Sequence, residues 1–133
     1  MVARLHAITI DAENSYKQAL WWGEALGWVE DKDDPNGPDH TENYVGPAEA
    51  EGTGLLFINV PEKKTIKNRI HLDLESDRTR EEEVRRLVEL GASVVADNFV
   101  RPDGSGWVVL ADPEGNEFCI VRSEAERAAT ATE

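Results

Sequence analysis

The stretch RLHAITI at residues 4–10 returns 65 positions later as RIHLDLE at 69–75. Ala25-Leu26-Gly27-Trp28 is echoed by Glu89-Leu90-Gly91-Ala92 at an offset of 64. Two matches in the same order, separated by one small deletion, mark an internal duplication, and a duplicated chain must fold as two copies of one supersecondary unit. His6 and His71 hold equivalent places in the two copies. If each copy opens with an extended segment, a pseudo-twofold axis between them brings the two imidazoles toward a shared cleft.

The local signals fill in each copy. Residues 4–11 alternate as a strand, with Arg4, His6, Ile8 and Ile10 on one side. From Ser15 to Leu26, Tyr16, Ala19, Leu20, Trp22, Gly23 and Leu26 recur at helical spacing, with Asn14 as N-cap and Gly27 as stop. Trp28-Val29-Glu30 predicts a short strand, EDKDDPNGPDHTE a polar loop, and Asn43-Tyr44-Val45 and LLFINV at 55–60 two further strands. In the second copy, Ile70, Leu72 and Leu74 face a core, and Arg69, His71, Asp73 and Glu75 share the opposite side. Thr79 and Glu82 have capping-box spacing, and Val84, Leu87, Val88 and Gly91 mark the buried stripe of a helix over 79–90. Strands follow at about 92–100 and 106–111. DPEGN at 112–116 then turns the chain into EFCIVR, with Pro113 presetting the turn and Gly115 taking a positive dihedral. SEAERAATATE is expected to fray, although its alanines permit a short helix. Strand, helix and three strands, twice over, is an α+β plan: a curved, mainly antiparallel sheet around a cleft, helices outside.

Charge narrows the function. With 27 acidic against 14 basic residues the net charge is -13, which repels a phosphate backbone or an anionic leaflet unless a local basic patch intervenes. Arg78, Arg80, Arg85 and Arg86 are read as the only such cluster, and Glu81, Glu82 and Glu83 interrupt it. Neither nucleic acid nor a membrane is an expected partner. No run reaches the roughly 18 apolar residues of a spanning helix, and the single cysteine, Cys119, fits a reducing compartment, so a cytoplasmic location is expected. No phosphate loop, nucleophile elbow or paired-cysteine motif occurs.

The two βαβββ copies, the histidine of RLHAITI, KNRIHLDLE at 67–75, LVELGA at 87–92 and WVVLADPEGNEFCIV at 107–121 resemble the vicinal oxygen chelate superfamily, and within it the glyoxalase-like (glyoxalase/bleomycin resistance/dioxygenase) domain. The likeness runs from residue 4 to 122. It implies one domain over 1–123, with module one at 1–62, module two at 63–123 and a tail at 124–133, and modules that pair within a chain or across a homodimer. A homodimer is expected here.

The same resemblance implies a metal ligand from each copy's first strand and another from its last. His6 and His71 match the first-strand positions. In the last strand of the second copy the ligand falls seven residues after the aspartate of the DP-x-G turn, which here is Cys119 in place of glutamate. Its first-copy counterpart falls at Phe57 or Ile58, neither of which binds a metal. The metal candidates are therefore His6, His71 and Cys119, a set short of the usual complement, and no cofactor is expected.

Several other side chains bear on chemistry. Glu117, two residues before Cys119, shares its side of the strand and is a fallback carboxylate for a metal or a proton. Asp73 is placed to orient His71, act beside it as a base, or pair with Arg69. Trp107 is the candidate for stacking on a ligand. His6, Phe57, His71, Asp73, Trp107 and Cys119 make up the expected ligand-binding set, and Asp73 and Glu117 are the catalytic candidates. The expectation is a small-molecule-binding protein with a degenerate metal site; the competing reading is a metal-dependent lyase, isomerase or dioxygenase.

Overall fold

A computed structural model describes residues 1–49 and 52–130. The chain divides into two compact units, Met1–Lys63 and Lys64–Glu133. Among the described residues no helix is long and apolar enough to cross a membrane.

Unit 1 contains β1 (Ala7–Ala12), α1 (Ser15–Leu26), β2 (Glu42–Val45) and β3 (Gly54–Asn59). Its sheet runs β1-β3-β2, with β3 parallel to β1 and antiparallel to β2. The register places Ile8 beside Leu55, Ile10 and Asn43 beside Phe57, and Val45 beside Leu55, so these six side chains share a face. That face meets α1, because the Asn43 amide donates to the Ser15 hydroxyl at 2.8 Å. Asn14 caps the helix by accepting from the Lys17 N–H, and Gly27, at φ 67°, ends it.

The buried stripe of α1 differs from the one its apolar spacing predicts. Ser15, Gln18, Ala19, Trp21, Trp22 and Ala25 are buried, and Leu20 is 52 % exposed. The helix is rotated toward its polar residues because the sheet offers them partners: Asn43 takes the Ser15 hydroxyl and the Asn59 carboxamide accepts the Ser15 N–H at 2.8 Å. Buried polar groups that are satisfied in this way are tolerated in a core.

The strand expected at Trp28–Glu30 does not form. Val29 makes one isolated bridge, exchanging backbone bonds of 2.8 and 2.9 Å with Gly46. Beyond it the chain turns at Asp31–Asp34, and Pro35 and Pro38 cannot donate to a ladder. The polar loop is fastened instead of loose. The Asn36 side chain bonds both the N–H and the C=O of Tyr44, at 2.8 and 2.7 Å, and the Gly37 N–H reaches the Asn43 side chain.

Unit 2 contains β4 (Leu72–Leu74), α2 (Arg80–Leu90), β5 (Ser93–Ala96), β6 (Trp107–Ala111), β7 (Glu117–Val121) and α3 (Glu124–Thr130). Its sheet runs β4-β7-β6-β5; only the β4–β7 pair is parallel. Leu72 pairs with Phe118, and Leu74 and Val108 with Ile120. Phe118, Ile120 and Leu110 are essentially free of solvent, as is Leu87 of α2. The expected capping box forms, with Thr79 and Glu82 bonding each other's backbone N–H. Val88 is 41 % exposed, while Glu83 is buried against a two-point bond with Arg86. The strand read over 69–75 is confined to its centre, and Ile70, read as core, is 77 % exposed. The turn at 112–116 forms as expected: Asp112 accepts from the N–H groups of Glu114 and Asn116, and Gly115 sits at φ 91°.

The tail read as frayed forms α3 over Glu124–Thr130; residues 131–133 lie outside the described residues. Ser123 and Glu126 make a second capping box, with bonds of 2.8 and 3.1 Å. The Glu126 carboxylate also accepts the Arg80 N–H at 2.7 Å. It thereby serves two of the N–H groups that helix starts leave unmet.

Candidate functional site

Alternation in unit 2 sends one set of side chains to the α2 side of the sheet and another to the opposite face. Asp73 pairs with Cys119, Val109 with Cys119, Ala111 with Glu117 and Trp107 with Val121, so these side chains share that opposite face. The structure thus brings Asp73, Cys119, Glu117 and Trp107 onto one surface. His71 sits immediately before β4, with its Nε2 3.9 Å from the Glu117 carboxylate.

Glu117 is the hub. Its backbone N–H donates to the Asn68 side chain at 3.0 Å, fixing the start of β7 against the preceding segment. Its carboxylate, 16 % exposed, accepts from the Lys67 ammonium, whose own side chain is 68 % exposed. The bond from Lys67 holds the Glu117 carboxyl below the usual glutamate range against the opposing pull of burial, with Lys64 and His71 adding to the effect. A pair with so exposed a lysine contributes only about 0–1 kcal/mol to stability. Lys67 was not singled out by sequence. The signal was there, because residues 63–71 hold Lys63, Lys64, Lys67 and Arg69 with no acidic residue among them. It was masked by the overall acidity.

Cys119 is 5 % exposed. Burial pushes its thiol up from the ordinary value, the Asp73 and Glu117 carboxylates push it further, and Asp73 also bonds the protonated form. The thiol keeps its proton at neutral pH. Asp73 and Cys119 are neighbours in register on one face, and no ion pair of Asp73 with Arg69 forms among the described residues.

These properties bear directly on a metal. A divalent cation wants several donors converging on one point, whereas here the carboxylate already holds an ammonium. Among the described residues no group of three or more His, Cys, Asp or Glu side chains is placed to hold an ion. The unit 2 donors do not fit one, and no chemical step is assigned to it.

Trp107 stacks on Phe99, with ring centroids 5.0 Å apart and planes within 12°, and the Arg101 guanidinium lies 5.7 Å from the indole centroid. This is cation–π range. The indole is half-buried and already has an aromatic neighbour.

The first-copy candidates lie in unit 1. His6 immediately precedes β1 and lines an open pocket of about 600 Å³ with Thr9, Asp34, Glu42, Tyr44 and Leu56. The Tyr44 phenol lies across the sheet above Gly54, where an added Cβ would fall 2.2 Å from its hydroxyl oxygen. Phe57 is fully buried and shares the α1-facing side with Asn43, so it belongs to the core and presents nothing to a ligand. The register corrects its assignment. Thr9 pairs with Leu56 between two core-facing pairs, as Asp73 pairs with Cys119, so Leu56 is the positional counterpart of Cys119, and by the same register Ala7 stands where His71 stands, which corrects the expected equivalence of His6 and His71 by one residue.

The sequence profile described as "Glyoxalase-like domain" matches residues 7–121. Among solved structures, a glyoxalase/bleomycin resistance protein/dioxygenase family enzyme from Burkholderia phytofirmans PsJN is similar at TM-score 0.68 and 19 % identity, covering 90 % of this chain and 98 % of that one. A superfamily member from Sphaerobacter thermophilus DSM 20745 gives 0.64 and 22 %, covering 90 % and 97 %. The fosfomycin resistance protein FosX from Listeria monocytogenes, complexed with Mn(II) and 1S,2S-dihydroxypropylphosphonic acid, gives 0.68 and 15 %, covering 96 % and 95 %. Likeness at these identities carries the fold alone. No curated protein matches the chain.

Proposed function

Because the chain belongs to the glyoxalase-like domain family, we propose that it is a small-molecule-binding protein whose recognition face in unit 2 works without a metal. The observation that carries this reading is the occupation of Glu117 by Lys67 beside a buried Cys119. In a metal-dependent relative such as FosX, whose structure holds Mn(II), the ion is available to polarise substrate oxygens. Here Lys67 and His71 supply donors, Asp73 and Glu117 acceptors, and Trp107 an apolar edge, which is the mixed lining that orients a small ligand.

Binding tested with and without a chelator decides the matter. Native protein is screened against a small-molecule library by thermal shift, with EDTA in one arm and Mn(II), Zn(II) or Ni(II) in the others. A ligand that stabilises equally in all arms, and less after His71→Ala, supports the reading. Stabilisation or turnover that vanishes with EDTA and returns with one ion overturns it in favour of a metal-dependent lyase, isomerase or dioxygenase. The same reading carries a homodimer in the cytoplasm, and sedimentation velocity reads the first half of that statement.

A further inference from the structure

One stretch of unit 2 carries cations without the carboxylates that surround its other basic residues. Residues 64–71 carry Lys64, Lys67, Arg69 and His71 without one carboxylate, in a chain of net charge -13. They are incompletely matched. Lys67 bonds Glu117, Lys64 donates to the Ile66 carbonyl at 2.7 Å, and Arg69 makes no ion pair among the described residues. Lys64, Lys67 and His71 all act on the single Glu117 carboxylate. We propose that Glu117 holds the place of an anionic ligand, and that Lys67 exchanges it for the terminal oxyanion of a small organic acid, a carboxylate, phosphate or phosphonate. This rests on the ligand-binding reading above and names its ligand class.

The geometry favours exchange at the lysine. Glu117 is fixed on β7 by its ladder with β6 and its bond to Asn68. Lys67 stands on a segment without helix or strand and keeps most of its side chain in solvent, so turning its ammonium outward disturbs no packing. His71 Nε2, at 3.9 Å, is too far from Glu117 for a hydrogen bond and remains available to a second oxygen. An incoming oxyanion at the Lys67 ammonium meets Lys64 and His71 as well, the cations that act on Glu117, against the carboxylates Glu117 and Asp73. A lysine serves such groups as a compact point charge without demanding the planar geometry of a guanidinium. The exchange also frees the Glu117 carboxylate beside the bound molecule.

Titration of the full chain with inorganic phosphate and methylphosphonate at constant ionic strength, followed by the His71 ring and Glu117 amide NMR signals, tests the exchange. Saturable shifts are expected. Lys67→Ala weakens binding by about tenfold or more, as loss of a charged hydrogen bond does. Lys67→Arg retains most of the affinity, and Glu117→Gln tightens it because the internal competitor is gone. Shifts that grow linearly without saturation, or Lys67→Ala binding like the parent, overturn the proposal. If a neutral library compound binds this face and the oxyanions do not, the charge assignment fails alone; if nothing binds, both readings fail.

Discussion

Units 1 and 2 keep one side of their sheets alike and let the other diverge. Toward the helix, Ile8, Ile10, Leu55 and Phe57 in unit 1 answer Leu72, Leu74, Phe118 and Ile120 in unit 2, in the same parallel register. On the opposite face, Thr9 and Leu56 stand where Asp73 and Cys119 stand. A core position is constrained by volume and close packing, so both copies retain large apolar groups there. On the opposite face, where Cys119 and Val109 are buried as well, unit 2 holds a thiol, two carboxylates and an ammonium. The groups with displaced protonation, Glu82, Asp103, Glu117, Cys119 and Glu126, belong to unit 2.

The equivalence of the two cores is the part most open to attack. Phe57→Ala and Phe118→Ala each remove a fully buried ring and should each cost about 3–5 kcal/mol in denaturant unfolding. Phe57 answers Ile120 and Phe118 answers Leu55, so only a gap well beyond the roughly 2.3 kcal/mol that cavity collapse alone produces breaks the likeness of the two cores. A sharper test converts one copy toward the other. Asn43 in unit 1 stands where unit 2 has Val108, each beside the corresponding core residue. Asn43→Val strips the Ser15 hydroxyl and the Gly37 N–H of their partner and should cost about 1–3 kcal/mol. If that variant is as stable as the parent, the polar bridge to α1 is dispensable and the units are more alike than described.

Helix starts give a smaller contrast. Asn14→Ala and Thr79→Ala should each cost about 0.5–2 kcal/mol, with Thr79→Ala the larger because its hydroxyl both accepts the Glu82 N–H and donates to the Glu82 carboxylate. The reverse order in thermal melts contradicts the capping geometry.

Acid and alkali should act on unit 2. Folded Glu117 stays ionised while its unfolded counterpart takes up a proton near the ordinary value of about 4.3, so the unfolded state binds more protons and stability falls as pH drops through that range. Glu82, held low by the Thr79 N–H, and Glu126, held low by N–H groups of Ser123 and Arg80 against burial, act in the same sense. For Cys119 the sign reverses. The unfolded thiol ionises first above about 8.5, the folded one keeps its proton, and stability is lost as pH rises. Hydrogen exchange at Phe118 and Ile120, compared with Leu55 and Phe57 across pH, reads the effect; equal pH dependence in both sets rejects it. The smallest effect is expected of Lys67→Ala, which should shift stability by no more than about 0.5 kcal/mol while weakening the acid dependence.

What could be read in advance was local. Gly27 and Gly91 end helices, Thr79 with Glu82 starts one, and the Asp112–Asn116 turn closes on itself, each through residues a few positions apart. Three features escaped because their causes lie elsewhere in the chain. Burial of Ser15 follows from amides that arrive on the sheet, Asn43 lying 28 residues after it. The expected strand at Trp28–Glu30 loses to a loop secured by Asn36. Lys67 meets Glu117 across 50 positions, beyond any motif. The S-x-x-E spacing of Ser123 and Glu126, by contrast, was legible, and its resemblance to Thr79 and Glu82 was overlooked among the alanines.

The reach of Glu126 back to the Arg80 amide gives synthesis a direction. By Val60, whose N–H bonds Ala12, every strand and helix of unit 1 has been made, so the leading copy has its partners while the trailing one is still unwritten. The second helix, though translated by residue 90, keeps an open amide until the ribosome has added Glu126. A chain cut before Glu126 would therefore leave that amide to water, and the start of the second helix would be held by Thr79 and Glu82 alone.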